Sequence, residues 1–75
     1  MRKIINNILY DTQTATLLYT NEETRRKLYK GVNGNYFMCY LNGKIVPYDV
    51  NLVKEYLGEY AVDVYLQEFP NVEEA

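Results

Sequence analysis

The chain has no histidine, no serine and no tryptophan, and one cysteine, Cys39. These absences remove whole classes of chemistry together. Without histidine or serine there is no Ser-His or Cys-His nucleophilic pair, no imidazole general base and no histidine zinc ligand. A lone cysteine allows neither an internal disulfide framework nor a thiolate metal cluster. Long apolar runs are also missing: nothing approaches the roughly 20 residues of a membrane helix, and the amino terminus lacks the apolar core of a signal peptide. The composition points to an intracellular chain with no membrane partner. Only two prolines, Pro47 and Pro70, interrupt it.

What is present is apolar and aromatic. Hydrophobic residues make up 48% of the 75, which excludes a disordered chain. This length reads as one small domain, residues 1–75, burying only about 60% of its extended surface on folding. A core of that size supplies roughly 3–5 kcal/mol, so association with a partner would add meaningfully to stability. Nine of the residues are tyrosine. Tyrosine gives large, stiff contact area and is enriched at interfaces, and it also finishes small cores whose rims are wet.

Charge divides the chain. Residues 1–47 carry Arg2, Lys3, Arg25, Arg26, Lys27, Lys30 and Lys44 against Asp11, Glu22 and Glu23, a balance of +4. Residues 48–75 carry Lys54 against Asp49, Glu55, Glu59, Asp63, Glu68, Glu73 and Glu74, a balance of −6. Such a dipole can steer an approaching partner. It is equally the pattern of an ordinary solvated helix surface.

The strongest local signal is Leu28 to Pro47, which holds two Asn-Gly pairs, Asn33-Gly34 and Asn42-Gly43, between strand-forming residues. Asn-Gly suits the two positive-φ positions of a type I′ turn. Two-residue loops predict a three-stranded meander over Lys27–Val32, Asn35–Leu41 and Lys44–Pro47. In that register Lys30 faces Phe37, Leu28 faces Cys39, Tyr40 faces Ile45 and Cys39 faces Val46. Side chains alternate across a strand. One face would then carry Leu28, Phe37, Cys39, Leu41 and Val46, and the other Tyr29, Tyr36, Met38, Tyr40 and Ile45. The tyrosine-rich face is too apolar for a solvated sheet, which predicts that it is covered or used for contact.

Elsewhere, Lys3 to Tyr10 reads as a small hairpin turning at Asn6-Asn7, with Ile4 opposite Leu9 and Ile5 opposite Ile8. Thr16–Thr20 is a β-prone run. Asp49 is a good helix N-cap, and Val50, Val53, Leu57 and Tyr60 recur on one helical face. Ala61 to Phe69 fits either a short helix (Val62, Tyr65, Leu66, Phe69) or a strand (Val62, Val64, Leu66). The helix is preferred, stopped by Pro70. The expected fold is therefore α+β: an antiparallel β-meander with one or two C-terminal helices.

The opening KIINNILYDTQTAT, residues 3–16, resembles the start of small uncharacterised proteins found on phages and conjugative elements of Gram-positive bacteria. Leu28-Tyr29 with Gly34, Tyr36 and Phe37 resembles them too, as do Ile45-Val46-Pro47 ahead of a helix and Tyr65, Phe69 and Val72-Glu73-Glu74 near the end. The likeness covers most of the chain. One departure is the tight turn between Leu41 and Ile45, where those proteins tend to carry a longer glycine-rich loop. The resemblance implies a small protein of a mobile element acting in the cytoplasm of a bacterial host. It implies inhibition of a host defence nuclease, as anti-CRISPR proteins do, with a CRISPR effector as the partner.

Four functional readings follow. The first is a non-catalytic protein-binding module that would use Tyr29, Tyr36 and Tyr40 on the sheet and Glu55, Glu59, Asp63 and Glu68 on the helices, needing no cofactor or metal. Acidic side chains there could occupy a groove built for phosphate. The second is a nucleic-acid-binding module, with Arg25, Arg26, Lys27 and Lys30 beside Tyr29 and Tyr36. A pI near 5.0 argues against it. The third is an enzyme, for which Glu55 and Glu59 at i, i+4 offer little more than an exposed helix face. The fourth is a homodimer through Tyr36, Met38 and Tyr40.

Overall fold

The computed structural model describes residues 1–75 as six strands followed by two helices. Strands β1 (Arg2–Ile5) and β2 (Ile8–Asp11) form an antiparallel hairpin that is a sheet of its own. Strands β3 (Thr16–Thr20), β4 (Lys27–Lys30), β5 (Tyr36–Cys39) and β6 (Ile45–Tyr48) form a four-stranded antiparallel meander in chain order. Helices α1 (Val50–Tyr60) and α2 (Val62–Glu68) complete an α+β fold. No helix is long and apolar enough to cross a membrane.

The first hairpin forms as the sequence predicts. Asn6 and Asn7 sit at φ 50° and 63°, and the ladder pairs Ile4 with Leu9 and Ile5 with Ile8. The two Asn-Gly turns differ from expectation. Gly34 and Gly43 have φ 87°, while Asn33 and Asn42 do not take positive φ. In the first turn the Gly34 N–H donates to the Gly31 carbonyl at 3.0 Å and the Gly31 N–H to the Asn35 carbonyl at 2.8 Å. In the second, the Gly43 N–H donates to the Tyr40 carbonyl and the Tyr40 N–H to the Lys44 carbonyl, both at 2.9 Å. Each connection is a three-residue loop, a type I turn followed by a left-handed glycine. Asn42 caps its turn by accepting from the Lys44 N–H at 3.0 Å.

One extra loop residue shifts both registers. Leu28 faces Met38, Tyr29 faces Phe37 and Lys30 faces Tyr36, where the two-residue loop placed Leu28 on Cys39 and Lys30 on Phe37. Cys39 faces Ile45 and Met38 faces Val46, correcting Tyr40 on Ile45 and Cys39 on Val46. A one-residue slip sends a strand's side chains to the opposite face. Alternation within β5 is as expected, but β4 and β6 exchange faces relative to it. Leu28 joins Tyr36 and Met38, whereas Tyr29 and Ile45 join Phe37 and Cys39.

Both faces are covered. The N-terminal hairpin lies on one, where Tyr10, Phe37, Cys39 and Ile45 are buried with Ile5, Ala15 and Tyr29 against them. The helices lie on the other, where Leu28, Tyr36 and Met38 pack against Val53 and Leu57 of α1. All four residues of β5 are buried as a result. In β3 the ladder slips between Leu17 and Tyr19, and Leu18 and Tyr19 both pack against the helix-side core.

Asp49 caps α1, its carboxylate accepting from the Leu52 N–H at 2.9 Å. Of the apolar row proposed for this helix, Val53 and Leu57 are buried and Val50 and Tyr60 are exposed. Residues 62–68 resolve as helix, with the Phe69 N–H donating to the Tyr65 carbonyl just before Pro70. A strand would set Val62, Val64 and Leu66 in one row; the helix turns Val64, Tyr65 and Phe69 inward and leaves Val62 and Leu66 exposed.

Leu28 is fully buried between β5 and the helices. Its replacement by alanine should cost roughly 2–5 kcal/mol, comparable to the whole stability of a core this small. Urea unfolding followed by circular dichroism should show Leu28→Ala largely unfolded at room temperature, while Leu17→Ala, at a half-exposed site on β3, should unfold near the parent midpoint.

Candidate functional site

The three sheet tyrosines proposed from sequence do not share a surface. Tyr29 lies on the hairpin side, stacked on Phe37 with ring centroids 5.3 Å apart and planes 12° from parallel. Tyr36 and Tyr40 lie on the helix side, because neighbours two apart on a strand share a face. Tyr36 is 9% exposed and Tyr40 half-buried beneath the Arg26 guanidinium, which sits 4.2 Å from the ring centroid. The dimer face of Tyr36, Met38 and Tyr40 is thus occupied by the protein's own helices.

Glu68 sits half-buried at the rim of this core. One of its carboxylate oxygens accepts from Lys30 Nζ and from the Tyr36 hydroxyl, both at 3.1 Å, tying α2 to β4 and β5. Burial, then the bond to Glu68, pushes the Tyr36 hydroxyl above its usual pKa, and the same carboxylate raises Lys30. Burial likewise raises Tyr29, Tyr48 and Tyr56. Two of the four basic residues considered for nucleic acid are therefore engaged within the fold, Lys30 by Glu68 and Arg26 by Tyr40.

The remaining acidic candidates are exposed. Glu55 and Glu59 lie on α1 and Asp63 in the first turn of α2, and none of them forms an ion pair; the two salt bridges of the protein are Arg2 with Asp11 and Lys30 with Glu68. Glu59 acquires neighbours that spacing does not suggest. Tyr19, Asn21, Glu22, Glu23, Glu59 and Tyr60 line one shallow concavity of about 370 Å³. Asn21 builds it. This residue is 8% exposed, its amide nitrogen donates to the Tyr56 hydroxyl at 3.1 Å, and its amide oxygen accepts from the N–H groups of Glu23 at 3.0 Å and Thr24 at 3.2 Å. The β3–β4 loop is thereby fixed against α1, with Glu22 and Glu23 beside Glu59.

An aromatic row supports the same surface. Tyr56 contacts Tyr60 at 4.9 Å, Tyr19 at 6.1 Å and Tyr48 at 6.5 Å between centroids, and Tyr60 at its outer end is 57% exposed. Sequence reasoning named Glu59 but not Tyr19, Asn21, Glu22, Glu23 or Tyr60 as site residues. Adjacent Glu22-Glu23 beside an asparagine was the available signal, but nothing local joins it to Glu59, more than thirty residues later.

No cluster of His, Cys, Asp or Glu side chains is arranged to hold a metal ion. Cys39 is 6% exposed on the hairpin side, and burial raises its thiol pKa. Thiolate is the reactive form. Cys39 should therefore resist a thiol reagent in native buffer at neutral pH and react quickly once urea unfolds the chain; rapid labelling of the folded protein would contradict this placement.

The raised groups fix the direction of alkaline stability. Lys30 and Tyr36 titrate in the unfolded chain near 10.5 and 10.0 and higher when folded. Their contribution is complete below about pH 10 and is lost as pH rises through the folded values. Buried Cys39 adds the same sign from its ordinary value of 9.0, so thermal midpoints should begin to fall above about pH 9 and fall further above about pH 10. Glu68→Gln should lower the midpoint at pH 8 and flatten the alkaline decline, and an unchanged profile would show that the knot contributes nothing.

No known family model, curated protein or solved structure matches this chain.

Proposed function

We propose that this protein is a non-catalytic protein-binding module, an inhibitor that presents its acidic, tyrosine-bearing surface to the nucleic-acid groove of a host defence nuclease. The observation that carries the reading is the concavity of Glu22, Glu23 and Glu59 around Tyr19 and Tyr60, which holds three carboxylates and no basic side chain. Glu55 and Asp63 extend negative charge along the helices. A groove built for phosphate is basic and draws an acidic surface toward it over several ångströms. Exposed Tyr60 adds the aromatic contact that commonly anchors such interfaces. The resemblance to small proteins of mobile elements supports a CRISPR effector as the first target to test, within a bacterial cytoplasm.

The test is retention of a CRISPR effector nuclease by tagged protein in lysate, followed by nuclease assays with the purified pair. The triple variant Glu22→Lys, Glu23→Lys, Glu59→Lys should bind on the order of tenfold more weakly or worse, with the loss concentrated in the association rate at low salt. Tyr60→Ala should weaken binding with little effect on the salt dependence. If the effector is not retained, the inhibitor reading falls; if it is retained but the triple variant binds as the parent does, the acidic surface is not the contact.

A further inference from the structure

A second cleft lies on the opposite side of the sheet from the helices. It has a volume of about 340 Å³ and separates β2 from the β4–β5 loop. Four consecutive residues of β2, Ile8 to Asp11, line one wall. A strand that lines a cleft with every residue in a row is presenting its edge, since one face would contribute alternate residues only. That edge has no neighbour: the hairpin sheet consists of β1 and β2 alone. We propose that the cleft binds an extended, uncharged peptide segment, which adds to β2 as a third strand of the hairpin sheet.

The backbone supplies the hydrogen bonds. Antiparallel ladders alternate bonded and non-bonded pairs. With Ile5 and Ile8 closing the two-residue turn, Leu9 is in a non-bonded pair with Ile4 and turns its N–H and C=O away from β1. Asp11, two residues on, turns its N–H the same way, while its carbonyl accepts from the Ala15 N–H at 3.1 Å. The β2 edge therefore offers donor, acceptor and donor at the spacing of an added strand.

The opposite wall is amide-rich. Asn33 and Asn35 face the cleft from the β4–β5 loop and Asn7 from the hairpin turn, all three exposed. The asparagine side chains that serve the fold are others, Asn21 and Asn42. An amide side chain carries both a donor and an acceptor, which suits the peptide bonds of an incoming strand. Phe37 and Tyr10 lie buried beneath, and Ile8 and Val32 border the cleft. These give an apolar seat to side chains that point inward. The one charged residue of the lining, Asp11, is paired with Arg2 Nε at 3.4 Å. The cleft thus offers no free charge, and a charged segment would lose hydration without gaining a partner.

Strand addition of this kind takes affinity from the main chain and selectivity from the pockets on either side. The site is separate from the carboxylates of Glu22, Glu23 and Glu59, so either can fail without the other. The probe is an N-acetylated, C-amidated Thr-Val-Thr-Val-Thr peptide, titrated into isotope-labelled protein while backbone and side-chain amide resonances are followed. Saturable shifts are expected at Leu9, Asp11 and the side-chain amides of Asn7, Asn33 and Asn35. Asn33→Ala and Asn35→Ala should each weaken binding roughly 2- to 10-fold. The same peptide N-methylated on alternate residues should give no saturable shift, which tests the main-chain bonds without disturbing the protein's fold. The proposal is overturned if the parent peptide produces no saturable shift up to its solubility limit. It is equally overturned if the shifts gather at β3 or β6, or if the N-methylated peptide binds as well.

Discussion

Strand β5 is buried on both sides, and the rest of the molecule is placed by that constraint. Tyr36 and Met38 are sealed by the helices and Phe37 and Cys39 by the N-terminal hairpin. A strand in this position cannot shift by one residue without exchanging the contents of two cores. In a chain of 75 residues the two small cores share one strand, so neither the hairpin nor the helices can dock elsewhere while β5 remains satisfied. A two-stranded hairpin is marginal alone in water, and the contacts of Ile5 and Tyr10 with the sheet give it the third partner it needs.

The polar interactions inside the fold follow the same layout. Glu68 reaches from α2 to Lys30 and Tyr36, and Asn21 reaches from the β3–β4 loop to Tyr56 of α1. Each joins residues more than thirty positions apart, and each ends on a tyrosine hydroxyl at a core's rim. That arrangement accounts for much of the tyrosine content: Tyr10, Tyr29, Tyr36, Tyr48 and Tyr56 fill interior or rim positions with a polar tip that can be satisfied. Tyr60 is the member of the aromatic row left facing outward, beside carboxylates with no internal partner.

The two candidate surfaces differ in physical character. The helix-side surface is charged and open, suited to long-range attraction by a basic groove. The hairpin-side cleft is uncharged and hydrogen-bonding, suited to short-range pairing with a main chain.

The amino-acid sequence by itself determined the strand segments, the first helix, the Asn6-Asn7 turn, the Asp49 cap and the alternation within β5, because these depend on φ preferences and periodicities a few residues long; residues 61–69 fit a helix or a strand alike, and only the structure made 62–68 of them α2. It also marked the uneven charge. The tertiary structure alone decided the register of the meander: Asn-Gly is compatible with a two-residue turn or with a type I turn ending in a left-handed glycine, and the second is the one that places Leu28 with Met38 against the helices and Ile45 with Cys39 against the hairpin. That one residue decided that Tyr29 parts from Tyr36 and Tyr40, and docking of the helices decided that Glu68 is spent inside the fold. Placing Glu22 and Glu23 beside Glu59 needed the Asn21–Tyr56 hydrogen bond, a contact across 35 residues that no local pattern encodes.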